Sequence, residues 1–397
     1  VNSLGLTEQQ PENNVYRILL EMLAVTLSKS ARARAVQLPT WNEALGLPRP
    51  WDQQWSLRMQ QILAYETDLL EYGDIFDGSE EIEKKVVELK RAALEELARI
   101  DALGGAVAAV ESGYMKQQLV ESNTHRLQAI ESGEHIVIGV NAFTESEPSP
   151  LATDIGAILT VSENIESEQI GRLKAWRAGR DAPAVTAALD QLKAAAKEGR
   201  NVMPASIACA KAGVTTGEWG SVCREIFGEY RAPTGIARAS RRSDEPDPLR
   251  ADVERISQKL GRRIKLLVGK PGLDGHSNGA EQIAVRARDA GMDVVYGGIR
   301  FTPAEIVKTA LEEDVHVIGL SILSGSHISL VRDVVERMRQ AGLEDVPIVV
   351  GGIVPPADAR ALKKCGVAAV YTPKDYEINR IMADVVRIVE EKASQAA

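Results

Sequence analysis

The spacing of apolar residues changes character along this chain. From residue 264 onward, short apolar runs alternate with longer amphipathic stretches. The runs are Ile264–Val268, Val294–Tyr296, Val317–Leu323, Ile348–Gly351 and Ala368–Tyr371. Each is too short for a helix and largely apolar throughout, the pattern of a strand covered on both faces. Ala280–Ala290, Pro303–Glu313, Ile328–Ala341, Ala357–Lys364 and Asp375–Glu391 follow them and read as helices. Thr302 can cap the second of these, with Pro303 in its first turn and Glu305 completing a capping box. Strands alternating with helices predict an α/β domain built on a parallel sheet. Right-handed crossovers leave few topologies, and the flavodoxin-like (Rossmann-like) order 2-1-3-4-5 fits this count.

Upstream the pattern is helical. Val15, Ile18, Leu19, Met22 and Leu23 mark one face of a helix over Asn14–Leu27, and Trp41–Pro48 reads as a short helical turn stopped by proline. Helices are predicted over Asp52–Tyr72, Ser79–Leu103 and Val107–Ile130, with Ser79 as a cap and Gly104-Gly105 as a stop. His135–Asn141 is a short strand candidate, and Glu145–Pro150 reads as a loop. Glu166–Ala178, Pro183–Lys197, Met203–Ala212 and Gly217–Phe227 predict further helices, with Trp176 and Trp219 as packing residues. Arg231–Pro248 has the composition of a linker. The division expected is 1–145, a helical linker region 146–255, and an α/β domain 256–397.

Composition narrows the class of partner. The 397 residues carry a net charge of -9, which speaks against nucleic acid. No apolar run has the length of a membrane span, and no signal-peptide pattern opens the chain, so a cytoplasmic protein is expected. Cys209, Cys223 and Cys365 are far apart and read as reduced thiols. The chain begins with Val1, and a fragment of a longer protein is the expectation. Lys29, Arg32 and Arg34 form either a solvated loop or a site for phosphates or carboxylates.

The chemistry concentrates after the first strand, in Lys270-Pro-Gly-Leu-Asp274-Gly275-His276-Ser-Asn-Gly279. A glycine-rich loop between strand and helix lies at the sheet edge where open α/β folds bind ligands. The neutral imidazole of His276 would be a good ligand for a transition metal, Asp274 is placed to orient it, and Lys270 can balance Asp274. One histidine without partner ligands is a poor site for a bare ion. It suits a metal held in a macrocycle that needs a single axial ligand. Ser321-Ile322-Leu323-Ser324-Gly325-Ser326-His327 and Gly351-Gly352 follow strands three and four, and Tyr371-Thr372 closes the same rim. Small residues there leave a slot, and hydroxyls offer hydrogen bonds. His327 borders the pocket and could bond a ligand, whereas His316 reads as structural and His125 as a surface residue.

Together these residues resemble the cobalamin-binding domain of cobalamin-dependent mutases and methionine synthase. The family motif is Asp-x-His-x-x-Gly, Ser-x-Leu and Gly-Gly, matched by Asp274/His276/Gly279, Ser321/Leu323 and Gly351/Gly352. The resemblance implies that His276 is the lower axial ligand to cobalt in place of the cofactor's own base. The displaced nucleotide tail would enter the slot lined by Ser321, Leu323, Gly351 and Gly352. Lys270, Gly275, Ser324, Gly325, Tyr371 and Thr372 join the implied cofactor-binding set.

The remainder is similar to acyl-CoA mutases of the methylmalonyl-CoA mutase family. Leu103-Gly104-Gly105 through Tyr114, Ile130–Glu134, Gly139–Asn141, Asn201–Ala205 and Thr216–Glu218 carry this likeness. Glu12–Val15 through Leu45–Pro48 is similar to the end of that family's TIM barrel, which makes residues 1–145 the last part of a substrate domain. One departure is informative. Where methylmalonyl enzymes carry Gly-Gly-Thr-Gln-Ser-Leu-His-Thr-Asn, this chain has Ser28 to Pro39 without it. That change, with Pro271-Gly272-Leu273-Asp274, looks like the ethylmalonyl-CoA branch. The resemblance implies adenosylcobalamin, a radical rearrangement of ethylmalonyl-CoA to methylsuccinyl-CoA, a homodimer when full-length, and Glu43 near the adenosyl group. A methylmalonyl-CoA mutase and a non-catalytic cobalamin carrier are the alternatives. With most substrate contacts outside these residues, the chain is expected to bind cobalamin without turnover.

Overall fold

The computed structural model describes residues 5–147, 149, 158–159, 164–229 and 248–396. The expected linker 231–248 lies outside them except for its last residue, as do Pro148 and Pro150 of the expected loop. The chain divides into two units, Val161–Ala232 and the remainder.

In the larger unit, α1 (Asn13–Leu27) and α2 (Pro50–Tyr65) come first. Ile18, Met22 and Met59 of these helices bury against Trp41. Trp41 Nε1 donates to Asp52 Oδ1 at 3.1 Å, and Asn14 Nδ2 donates to the Trp41 carbonyl at 2.9 Å. The turn that carries Glu43 is therefore pinned on both sides. Helix α2 stops at Tyr65, short of the expected Tyr72, because Lys29 Nζ reaches the carbonyls of Leu69 and Tyr72 and draws the chain into turns. Lys29 is thus engaged as a cap, while Arg32 and Arg34 stand exposed.

Helix α3 (Glu80–Ala102) starts after Ser79, whose side chain makes no cap bond, with three glutamates in its first turn facing the helix dipole. The helix expected over Val107–Ile130 is two, α4 (Ala106–Glu111) and α5 (Tyr114–Glu131). They break at Gly113, which takes a left-handed φ of 79°. His135–Asn141 is not a strand. Among the described residues no strand pairs with it, and the Asn141 side chain serves Val137 N and the carbonyls of Ile130 and His135 instead.

The smaller unit holds α6 (Ile165–Gly179), α7 (Ala182–Lys197), α8 (Met203–Ala212) and α9 (Thr216–Phe227). Its core joins Ala188, Leu192, Ala195, Ala205 and Cys209. Thr215 and Glu218 form a capping box on α9, and Glu218 also takes a two-pronged bond from Arg180. Trp176 and Trp219 are partly exposed, their indole N–H groups bonded to the Gly213 carbonyl and Ser206 Oγ.

From residue 248 the alternation expected of the sequence is present. The elements are α10 (Pro248–Leu260), β1 (Lys265–Gly269), α11 (Asn278–Asp289), β2 (Asp293–Tyr296) and α12 (Pro303–Glu312). They continue with β3 (Val317–Ser321), α13 (His327–Gln340), β4 (Ile348–Gly351), α14 (Pro356–Lys364), β5 (Ala369–Tyr371) and α15 (Ile378–Ala396). The five strands are parallel in the order β2-β1-β3-β4-β5. Side chains alternate between faces along each strand. Leu266, Val268, Val317 and Val349 pack under α10, α11 and α15, and Leu267, Ile318, Leu320 and Val350 pack under α12, α13 and α14. The capping box of Thr302 and Glu305 on α12 is formed as predicted.

Candidate functional site

Lys270 is fully buried, which a lysine tolerates only with partners. Its Nζ donates to Asp274 Oδ2 at 3.3 Å and to the Ser321 carbonyl at 3.0 Å. The Asp274 carboxylate is surrounded by donors. Oδ2 also accepts the Leu323 amide at 2.7 Å, and Oδ1 accepts the His276 amide at 3.0 Å and faces His276 Nδ1 at 2.8 Å. One side chain thereby ties the loop after β1 to the loop after β3. Burial pushes the Asp274 carboxyl up, but the His276 and Leu323 amides, the imidazole and Lys270 outweigh it and hold the pKa at about 2. Lys270 moves down as well, because its desolvation exceeds the pull of Asp274. The two shifts do not mirror each other because the aspartate has four donors and the lysine faces a single anion.

His276 is the opposite case, with its side chain 75% exposed. A carboxylate at Nδ1 favours the tautomer protonated there and leaves the Nε2 lone pair available. Leu273, three residues earlier in the same loop, is 90% exposed. Glu43 stands within electrostatic reach of His276. Burial raises the glutamate's pKa, and the histidine lowers it part of the way back. Leu47, from the same turn, packs over Gly325.

The glycines have separate tasks. Gly275, Gly279 and Gly351 have no described atom within 4 Å of where a Cβ would stand, so they leave space. Gly352, at φ 149°, is a close backbone approach: a Cβ there would stand 1.9 Å from the Ile322 carbonyl oxygen. On the α11 and α15 face, the Tyr296 and Tyr371 hydroxyls are buried without a hydrogen-bond partner among the described residues. Burial raises both phenol pKa values, and Glu281 adds to the rise at Tyr296, close enough to act through its charge though outside ordinary bonding geometry. Ser324 Oγ pairs with Ser326 Oγ at 2.8 Å, and the Thr372 amide donates to the Asp375 carboxylate at 2.8 Å.

His327 is buried and bonds Asp358 Oδ2 through Nε2 at 2.8 Å, leaving Nδ1 without a partner among the described residues. His316 is structural, as expected, its Nδ1 accepting from Lys265 N at 2.9 Å. The Leu323 amide and Tyr296 escape sequence reasoning. A backbone donor carries no residue signature, and a tyrosine ending a strand reads as core.

The parallel α/β domain that presents this carboxylate-backed imidazole is of the B12-binding class: the family model described as B12 binding domain matches residues 264–380. The family model described as Methylmalonyl-CoA mutase matches residues 2–229. The chain belongs to the methylmalonyl-CoA mutase family and carries a B12-binding domain. Ethylmalonyl-CoA mutase of Cereibacter sphaeroides is 66% identical over 397 residues, covering 100% of this chain and 60% of the relative. The enzyme of that name from Methylorubrum extorquens is 62% identical, covering 100% of this chain and 58% of its own length. Methylmalonyl-CoA mutase of Escherichia coli is 34% identical over 396 residues, covering 98% and 54%. The chain thus spans about three-fifths or less of the length of these relatives. Among the described residues no helix is long and apolar enough to cross a membrane.

Proposed function

We propose that His276 Nε2 is the lower axial ligand of adenosylcobalamin, and that the full-length protein is a mutase converting ethylmalonyl-CoA to methylsuccinyl-CoA. The observation that carries this reading is the exposed imidazole whose Nδ1 is held by a buried, fully bonded aspartate. Among the described residues no three His, Cys, Asp or Glu side chains gather around a bare ion. A metal carried in a macrocycle needs only this one ligand.

The surroundings fit such a group. Leu273 offers an exposed apolar surface in the same loop, Gly351 leaves room at the sheet edge, and the buried Tyr296 and Tyr371 hydroxyls have no hydrogen-bond partner among the described residues. Ser321, Leu323, Ser324, Gly325, Gly352 and Thr372 line the rest of the rim. When bound, the cofactor supplies homolytic cleavage of a cobalt–carbon bond for carbon-skeleton rearrangement. The protein's own part is positioning. Asp274 keeps the proton on Nδ1 and orients the ring, and Lys270 with the Leu323 amide holds Asp274. Glu43, raised in pKa at the mouth, is the candidate catalytic residue of this chain. The ethylmalonyl substrate is supported by identities of 66% and 62% to enzymes of that name against 34% to a methylmalonyl enzyme.

Titrating the chain with adenosylcobalamin tests the ligand by absorbance. A histidine-ligated spectrum is expected from the wild type and its loss from His276→Ala. Assaying the full-length protein with ethylmalonyl-CoA and methylmalonyl-CoA tests the substrate, and a preference for the second would sink that part of the reading.

A further inference from the structure

We propose that Lys116, Glu281 and Tyr296 form a latch through which the helical region holds the His276 loop in its binding geometry. The proposal rests on the reading of His276 as the cobalt ligand.

Glu281 lies five residues after His276, in the first turn of α11, with its side chain only 7% exposed. A carboxylate so buried needs a partner. Lys116 of α5 supplies it, Nζ to Oε1 at 3.0 Å. The same ammonium stands 4.8 Å from the centroid of the Tyr296 ring, a cation–π contact. Tyr296 ends β2 in register with Val268, two residues before Lys270. One cation from upstream therefore touches both the helix that follows the ligand loop and the strand beside it.

The other end of α5 is fastened too. Glu131 Oε1 accepts the amide of Ile378, the first residue of α15, at 3.2 Å. Helix α5 thus joins α11 and α15, two of the three helices that cover the Leu266 and Val268 face of the sheet. The loop needs this support on its helical side. Asp274 anchors its first half, but Gly275 and Gly279 flank open space and the Ser277 side chain makes no cap bond. The position of the first turn of α11, and with it the second half of the loop, depends on Glu281. Lys116 lies in the stretch matched by the mutase family model and Glu281 in the stretch matched by the B12 binding domain. The latch makes cofactor affinity a property of both regions, and reciprocity requires that cofactor binding also stiffen α5.

Hydrogen exchange and cobalamin titration of the whole chain test this. Lys116→Met keeps the aliphatic stem and strands Glu281. It should speed exchange of amides 275–285 by roughly tenfold or more, leaving β3 and β4 protected. It should weaken adenosylcobalamin binding by about tenfold while the histidine-ligated spectrum persists at saturation. Lys116→Met/Glu281→Gln should recover part of both, and Lys116→Arg most of both. Unchanged exchange and affinity in Lys116→Met, with the spectrum still lost in His276→Ala, overturns the latch and spares the ligand. A spectrum that survives His276→Ala overturns the ligand reading, and exchange at 275–285 then judges the latch alone. A rise in exchange across the whole sheet in Lys116→Arg counts against the latch as well.

Discussion

Removing the carboxylate of Asp274 strands a cation. In Asp274→Ala, Lys270 Nζ stays in a fully buried position with only the carbonyl and hydroxyl of Ser321, and the amides of Leu323 and His276 lose their acceptor. Breaking one side of a buried ion pair costs about 3–5 kcal/mol, and an orphaned amide adds about 1 kcal/mol more. Trp41, Trp51, Trp55, Trp176 and Trp219 all lie outside residues 264–380, so tryptophan fluorescence would miss the change. Amide exchange in β1 and β3 reads it directly. A loss of about 4 kcal/mol corresponds to roughly thousandfold faster exchange wherever these strands open together. Asp274→Ala/Lys270→Met removes both charges and should regain about half of the loss or more. A single variant costing less than about 1 kcal/mol, or a double variant no better than the single, would refute the view that this pair holds the loop.

Acid should reach the same group. Its folded pKa of about 2 lies below the ordinary 3.8, so its contribution is complete above the unfolded value and fades as pH falls towards 2. About 2 kcal/mol should disappear over that window in the wild type and not in Asp274→Asn, by circular dichroism in urea. Gly352→Ala drives a Cβ into the Ile322 carbonyl and should cost upwards of about 3 kcal/mol in thermal melts, whereas Gly351→Ala should be tolerated. His276→Ala removes an exposed ring and should change fold stability by no more than about 1 kcal/mol while abolishing the cobalamin spectrum.

The sheet and its order were legible because strand and helix periods are set by backbone geometry, and each strand expected from residue 264 onward reappears within a residue or two of its bounds. Reading failed where tertiary partners decide. An apolar run such as His135–Asn141 becomes a strand only beside another strand, and Lys29 ended α2 from far away in sequence. At the site, the link between Lys270, Asp274 and His276 was foreseeable because all three share one loop. The contributions of Leu323, Lys116 and Tyr296 come through the fold, from a main-chain amide, an upstream helix and a neighbouring strand, and leave no local mark.

The bond from the Leu323 amide to Asp274 also shapes which substitutions the motif tolerates. A backbone N–H is present in every residue except proline. The bond therefore allows position 323 almost any side chain and withholds only one, while the acceptor it meets must be a short carboxylate at position 274. Variation in this loop pair should be lopsided where folding alone is selected: a library randomised at both positions should return many residues at 323 and nearly one at 274, whereas selection for cofactor binding also tests the Leu323 side chain.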